Sequence, residues 1–408
     1  MVEARRAFRE RRAVHPLRPG TGRRPPWTLR HWSLSIPRST LIAPFATNIA
    51  VRSESLKNIR RIVVKLGTGV LTDSRKQPDL AQIRQLVAQV AALRKAGHEV
   101  VIVTSGAVGA GMGLLGFDKR PGTLDELQAC AAVGQSRLMA TYEKLFARHD
   151  LHVAQVLLTH EDLEHHERHL NARHTLVTLL KHGVIPIINE NDAVSVTELK
   201  FGDNDKLSAL VAALLPADLL VILTTVDGVV ENFGTEEARL LSVIERIDGG
   251  IEKMAGGTTS ATAVGGMSSK IQAAKIVVRA GIPLVIAPGH KKTVLRRVLD
   301  GSDEGTLFIP QPGKLKGRKR WIAFFHRPKG TLTVDDGARK ALCDSGKSLL
   351  PPGIKDCTGK FSAGDVVKIC DASGEEFARG IARHSAAEIN NGGLARTEVV
   401  HRDDLVIL

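Results

Sequence analysis

Two lysines in this 408-residue chain sit where backbone geometry can turn them into phosphate ligands. Lys65 opens Lys65-Leu-Gly-Thr-Gly69 directly behind the apolar run Ile62-Val63-Val64, and Lys270 closes Val264-Gly265-Gly266-Met267-Ser268-Ser269-Lys270. Glycines leave backbone N–H groups free to face an anion, and an ammonium beside them can hold the charge of a transferring phosphoryl group. In the second segment the glycine pair precedes a helix whose first turn carries Ser268, Ser269 and Lys270, an anion site with a second cation. Taken singly, Lys65 also fits a solvated strand-edge lysine. Thr104-Ser105-Gly106-Ala107 offers hydroxyls and backbone donors, or an ordinary tight turn. Two acid and amide clusters complete the set, Asn189-Glu190-Asn191-Asp192 after the apolar Ile187-Ile188, and Gly202-Asp203-Asn204-Asp205-Lys206 at a helix start. Such clusters can grip an amino or carboxylate group and orient other charges, although turns and an N-cap would use the same residues. Jointly these are the parts of phosphoryl transfer, in which catalysis is positioning and charge stabilisation. The sequence sets no nucleophile beside a base and spaces no metal cage.

Each cluster falls just after a segment that reads as a strand. Ile62–Val64 leads to Lys65; Leu80, Ile83, Leu86, Val87, Val90 and Leu93 then recur at helical spacing between Asp79 and Gly97. The alternation continues through Val100–Val103, a helix over 124–146, Val153–Leu158, a helix ending near Gly183, and Val184–Ile188. It resumes with a helix over 206–215, Leu219–Leu223, a helix over 270–280 and Ile282–Ile286. Short, nearly continuous apolar runs alternating with helices predict an α/β fold, a mostly parallel sheet covered on both faces. Such sheets bind ligands at the carboxyl ends of their strands. Gly111-Met-Gly-Leu-Leu-Gly116 matches the dinucleotide-binding pattern but begins several residues after its strand, and no G-x-x-x-x-G-K-[ST] exists, so a P-loop NTPase is disfavoured. Beyond Pro310 a basic stretch, 313–328, carries five cations and no acid between Lys314 and Arg320, and precedes a small β-rich domain over 329–408.

The composition, 43% hydrophobic and 25% charged at a mean hydropathy of -0.03, is that of a globular chain of two or three domains. No apolar run approaches the 18 or so residues of a membrane span. Four cysteines without a C-x-x-C pair favour a reducing compartment over a disulfide framework or zinc site. The net charge of +14 is concentrated at the start: residues 1–61 hold 14 Lys and Arg against three acids, leaving +3 for the rest. Residues 1–57 therefore read as a disordered basic extension, a targeting segment or a mis-set start.

The motif set resembles the amino-acid-kinase family and, within it, the glutamate 5-kinases. It comprises Val63-Val-Lys-Leu-Gly-Thr68, Val103-Thr-Ser-Gly-Ala107, Ala131-Ala-Val-Gly-Gln-Ser-Arg-Leu138, Ile188-Asn-Glu-Asn-Asp-Ala-Val194 and Gly202-Asp-Asn-Asp205. The C-terminal segment, with Ser348-Leu-Leu-Pro351, Gly353-Ile-Lys355 and Val400-His-Arg-Asp-Asp404, resembles a PUA domain. The resemblance implies a three-layer αβα kinase domain over 58–312 and ATP-dependent phosphorylation of the γ-carboxylate of L-glutamate, the first step of proline biosynthesis. It implies Lys65 and Lys270 on the transferring phosphoryl group, with Asp205 organising them. Ser105, Asp192 and Asn204 would bind glutamate; Lys65, Thr224, Thr225 and the loop Val264 to Lys270 would touch ATP, with Mg2+ held through water and substrate oxygens. It further implies a cytoplasmic homo-oligomer, proline as feedback inhibitor acting near residues 165–200, and a glutamyl phosphate reductase as pathway partner. The chain departs from the family pattern at Gly69 (often Ser), Thr225 (Asp or Asn), Val264 (Thr) and near Val230 (Tyr), and its PUA-like segment is short between Glu388 and Val399.

Two rival functions are open to the same residues. One is another acyl-phosphate-forming kinase, acting on acetylglutamate or aspartate. The other is an RNA-binding or regulatory protein built on the PUA-like domain, but residues 329–408 hold 11 Lys and Arg against 12 acids, so specific nucleic-acid binding is disfavoured. His160, His165, His166 and His169 lie at metal-compatible spacing and are expected as solvated surface histidines.

Overall fold

The computed structural model describes residues 44–73, 77–194, 204–256, 266–310, 315, 317–392, 394 and 397–408. Among these, eight strands form one sheet: β1 (Arg61–Leu66), β2 (Glu99–Val103), β3 (Val153–Leu158), β4 (Ile185–Glu190), β5 (Leu219–Thr224), β8 (Val243–Ile244), β9 (Leu284–Pro288) and β10 (Thr306–Phe308). Two further short strands, β6 (Val230–Glu231) and β7 (Arg239–Leu240), pair as a ribbon. The sheet order is β3-β4-β2-β1-β5-β9-β10-β8, parallel throughout except where β10 runs against β9. This is the mostly parallel sheet that the apolar runs predict. β1 lies centrally, with Lys65 opposite Val103 and Ile222.

Helices cover both faces because successive side chains point to opposite sides of each strand. Val63, Val101, Leu220 and Ile286 enter one core, with α7 (His166–Lys181), α8 (Asn204–Leu214) and α10 (Met267–Arg279). Ile62, Val64, Ile102 and Val221 enter the other, with α3 (Leu80–Lys95), α5 (Leu124–Ala147) and α11 (Val294–Leu299). Asp79 caps α3 through Ala81 and Gln82, and Gly97 ends it at φ +93. Among the described residues four shorter helices complete the domain: α2 (Thr68–Leu71), α4 (Ala107–Met112), α6 (His160–Glu164) and α9 (Gly249–Gly256), the last ahead of α10. Gly111, the first glycine of the dinucleotide-like pattern, serves packing. A Cβ on Gly111 would lie 1.9 Å from the Cys130 carbonyl, and one on Gly134 would lie 1.8 Å from that of Ala107, so α4 and α5 touch backbone to backbone.

A second sheet, ordered β12-β11-β13-β14-β15, comprises β11 (Gly330–Val334), β12 (Ile354–Gly359), β13 (Val366–Cys370), β14 (Glu376–Ile381) and β15 (Leu405–Ile407). It has its own core around Leu332, Leu342, Val367 and Ile369. The basic stretch read as a linker is in part a helix, α12 (Gly317–Phe324), wedged between the sheets. Its Ile322 and Ala323 pack on Val366 and Val406, Trp321 and Phe324 lie against the first core, and the Arg320 Nη1 donates to the Ala213 carbonyl at 2.9 Å. The apolar run Trp321–Phe325 behind the cations explains the docking, since burying it outweighs the charge of the flanking face.

The basic extension expected to be disordered to residue 57 ends in structure: Pro44–Ser55 forms helix α1. Arg52 is fully buried, and all the acceptors named for it are backbone carbonyls. Burying a guanidinium is tolerable only when its donors are met, and the four carbonyls take up four of its five N–H groups.

Candidate active site

Asp205, in the first turn of α8, is 1% exposed and joins the two lysines. Lys65 Nζ lies 2.7 Å from Asp205 Oδ1, and Lys270 Nζ lies 3.0 Å from Oδ2, which also accepts from the Ser269 hydroxyl at 2.7 Å. Lys65 reaches this point as the penultimate residue of β1, and Lys270 reaches it from the first turn of α10, packed alongside α8. Both lysines are 5% exposed. Burial would raise the Asp205 carboxyl, but Lys65 and Lys270, with Ser269, hold it below the usual carboxylate range. One buried carboxylate thus fixes two ammonium groups against one another, a net positive centre at the carboxyl edge of the sheet. The backbone N–H of Gly67 donates to the Leu223 carbonyl, where a Cβ would stand 3.2 Å from that oxygen, so glycine lets β1 turn tightly over β5.

Beside this centre runs a chain of buried amides. Asn204 Nδ2 donates to the Ser105 hydroxyl and the Thr104 carbonyl, both at 2.9 Å, and lies 3.1 Å from Asn189 Oδ1. Asn189 Nδ2 in turn donates to Gln135 Oε1 at 2.9 Å. Thr104 Oγ1 meets the Tyr142 phenol at 2.8 Å, and burial pushes that phenol up, so it stays neutral. Two atoms of the chain, Asn204 Oδ1 and Gln135 Nε2, are buried with no partner among the described residues. A buried amide with spare capacity is costly unless something arrives to use it. Three residues past Asn189 stands Asp192, whose carboxyl is raised to about 7 by burial and by Glu190, against the pull of Arg120.

Lys65, Asp205, Lys270 and Ser269 therefore converge, as do Ser105 and Asn204, while Asp192 follows Asn189 beyond the end of β4. Thr224 ends β5, 8% exposed, and its carbonyl accepts from Gly289 N–H at 2.8 Å. Thr225 and Ser268 are exposed, Met267 is half-buried and Gly266 caps α10; Val264 and Gly265 lie outside the described residues. Two departures from the family pattern sit against each other: a Cβ on Gly69 would stand 2.9 Å from Cγ2 of Thr225. Glycine at 69 therefore gives threonine at 225 its room.

Sequence reasoning gave no role to Gln135 and Tyr142, and took Asn189 only as one of a polar cluster after its strand. A polar residue inside a buried helix or strand gives its individual role away only once its partner is placed. The histidine expectation is corrected at His169, which is 8% exposed and packs edge-on to Phe325 at 4.5 Å, between α7 and the end of α12. His166 and His326 flank Trp321 at 4.9 and 4.0 Å. Among the described residues no three His, Cys, Asp or Glu side chains gather as a metal site, and both Asp205 oxygens are engaged. This donor set fits a divalent cation carried on a nucleotide's own oxygens.

The model of the amino acid kinase family matches residues 60–288, and that of the PUA domain matches residues 330–399. The glutamate 5-kinase of Pelobacter propionicus is 43% identical over 373 residues, 88% of this chain and 100% of its own length. Those of Moorella thermoacetica and Geobacter sp. strain M21 are 45% and 46% identical, over 87% and 88% of this chain and 98% and 100% of their own lengths. The motifs, the sheet that gathers them and these full-length relatives agree: the chain belongs to the amino acid kinase family, in its glutamate 5-kinase branch with a C-terminal PUA domain.

Proposed function

We propose that the chain transfers the γ-phosphoryl group of ATP to the γ-carboxylate of L-glutamate, giving L-glutamyl 5-phosphate for proline biosynthesis. The observation that carries the reading is the Lys65–Asp205–Lys270 triad at the carboxyl edge of the sheet. In-line transfer moves negative charge from the attacking carboxylate oxygen through the phosphoryl group onto the leaving oxygen of ADP, and two ammonium groups fixed by one carboxylate stabilise that charge without reorganising. Asp205 holds the lysines and takes no proton, since it is ionised well below neutral pH.

Glutamate would bind alongside. Its ammonium suits Asp192, and the unfilled Asn204 Oδ1 and Gln135 Nε2 suit an N–H and a carboxylate oxygen, with Ser105 beside them. ATP would lie over Thr224, Thr225 and the α10 N-terminus from Gly266 to Lys270, where helix dipole and Lys270 favour phosphate. Mg2+, bound to the nucleotide, would supply further neutralisation. An acyl phosphate hydrolyses readily in water, which supports a reductase as the consuming partner. Cytoplasmic location, homo-oligomerisation and proline feedback belong to the same proposal and rest on the family resemblance; among the described residues no helix is long and apolar enough to cross a membrane. Purified protein with ATP, Mg2+ and a panel of glutamate, acetylglutamate and aspartate, with hydroxylamine trapping, tests the reading. Hydroxamate from glutamate alone supports it, and hydroxamate from another acid replaces it with the corresponding kinase.

A further inference from the structure

Helix α1 lies outside both family-model matches, yet its Arg52 is among the most deeply buried side chains in the chain. Nε donates to the Ser302 carbonyl at 2.8 Å, Nη1 to Ser242 at 2.8 Å and Gly305 at 3.3 Å, and Nη2 to Glu304 at 2.6 Å. These carbonyls belong to the turn that enters β10 and to the residue before β8. Thr306 pairs with Ile286, two residues short of the Pro288 that lies opposite Thr224, so the turn sits at the carboxyl edge of the sheet. Arg52 is thus bound to the same edge as the triad.

From this turn two connections lead to the proposed nucleotide residues. Thr306, fully buried, accepts from the backbone N–H of Val229 at 2.9 Å, and a Cβ on Gly228 would stand 2.5 Å from the same hydroxyl. The segment held there begins at Thr225. On the other side the Glu304 carboxylate, 3% exposed, grips Lys291 at 2.7 Å and Arg297 at 2.8 Å. Lys291 follows Gly289, whose N–H is bonded to the Thr224 carbonyl. Gly305 locks the turn in place: at φ +70, a Cβ there would lie 2.0 Å from the Ile286 carbonyl.

We propose that Arg52 is a positioning residue for the nucleotide, fixing the 302–306 turn and through it the segments 225–229 and 289–291 that flank Thr224 and Thr225. The inference rests on the ATP-dependent reading above. Small displacements of a binding segment change affinity and rate strongly, whereas for Ser105, Gln135, Asp192 and Asn204, which follow β2 and β4 or stand on α5 and α8, no bond to this turn occurs among the described residues. The effect is therefore selective between the two substrates.

The test is the full chain with Arg52→Ala, Arg52→Lys and Thr306→Val, with KM for ATP and KM for glutamate measured separately by hydroxamate formation. Thr306→Val keeps the side-chain volume and removes the acceptor for Val229, so it decides the matter if Arg52→Ala fails to fold. The expected result is a rise in KM for ATP of about tenfold in Arg52→Ala and Thr306→Val, with KM for glutamate within about twofold. Arg52→Lys, which keeps the charge but loses the fork of donors, should fall between. An unchanged KM for ATP in folded Thr306→Val, or equal rises in both KM values, overturns the inference while leaving the kinase reading intact. A wild-type chain that forms no hydroxamate overturns the kinase reading, and this inference with it.

Discussion

Asp192 offers a test in which the structure supplies the magnitude. Burial and the neighbouring Glu190 raise its carboxyl from an ordinary 3.8 to about 7, with Arg120 pulling the other way. If the glutamate ammonium binds the ionised form, about nine-tenths of the sites are competent at pH 8 and about one-tenth at pH 6. KM for glutamate should then rise about tenfold from pH 8 to pH 6, while kcat at saturation changes little. At pH 6 binding should also expel about 0.9 proton, seen by calorimetry as a binding enthalpy that varies with the ionisation enthalpy of the buffer. Asp192→Asn removes a charge-assisted bond of about 1.5–3 kcal/mol, so KM should rise about 10- to 150-fold at pH 8 and lose its pH slope. The linkage sign follows from the raised value. The folded state keeps this proton longer than the unfolded one, so the contribution present below about pH 3.8 is lost as pH rises through 7, and glutamate should raise Tm more at pH 8 than at pH 6. A flat wild-type KM from pH 6 to 8, or a slope surviving in Asp192→Asn, would refute the placement of the ammonium.

Three further outcomes are expected. Lys65→Ala and Lys270→Ala should each lower kcat at least about 100-fold while leaving KM for glutamate within a few-fold, measured by steady-state hydroxamate formation; near-normal turnover removes that lysine from the mechanism. His160, His169 and His326 are held at about 4 mainly by burial, below their ordinary 6.5, so their stabilisation is complete above pH 6.5 and lost as pH falls toward 4. Thermal melts should show Tm falling over that window, less steeply in His169→Gln, and an unaltered slope would put His169 in solvent. Gly134→Ala drives a Cβ into the Ala107 carbonyl at 1.8 Å and should cost about 3 kcal/mol or more, or prevent folding, whereas Gly97→Ala meets no atom within 4 Å and suffers only from its φ of +93. Urea titration distinguishes them.

The central sheet was legible because its strands are buried on both faces and therefore read as continuous apolar runs, Ile62–Val64 and Leu219–Leu223 above all. The site was legible for a related reason: polar residues such as Asn189 to Asp192 stand out when they follow a buried strand directly. What escaped depends on partners distant in sequence. Arg52 lies in a stretch whose average composition is that of a solvated basic tail, and only Ser242 and residues 302–305, some 190 to 253 positions away, make its burial tolerable. Trp321, Ile322 and Phe325 were concealed by the run of cations that precedes them, and His169 is covered by a helix about 150 residues later in the chain. The Gly69 and Thr225 departures read as separate changes until the structure set one against the other.

The most direct test of the central claim uses the buried carboxylate that binds both lysines. Asp205→Asn keeps the size of the side chain and removes the charge that fixes Lys65 and Lys270, so single-turnover transfer of phosphoryl from ATP to glutamate, trapped as hydroxamate, should slow at least about 100-fold with both substrates still bound. Transfer at close to the wild-type rate in the folded variant would contradict the account, because the two lysines would then be stabilising the phosphoryl group without the residue that positions them.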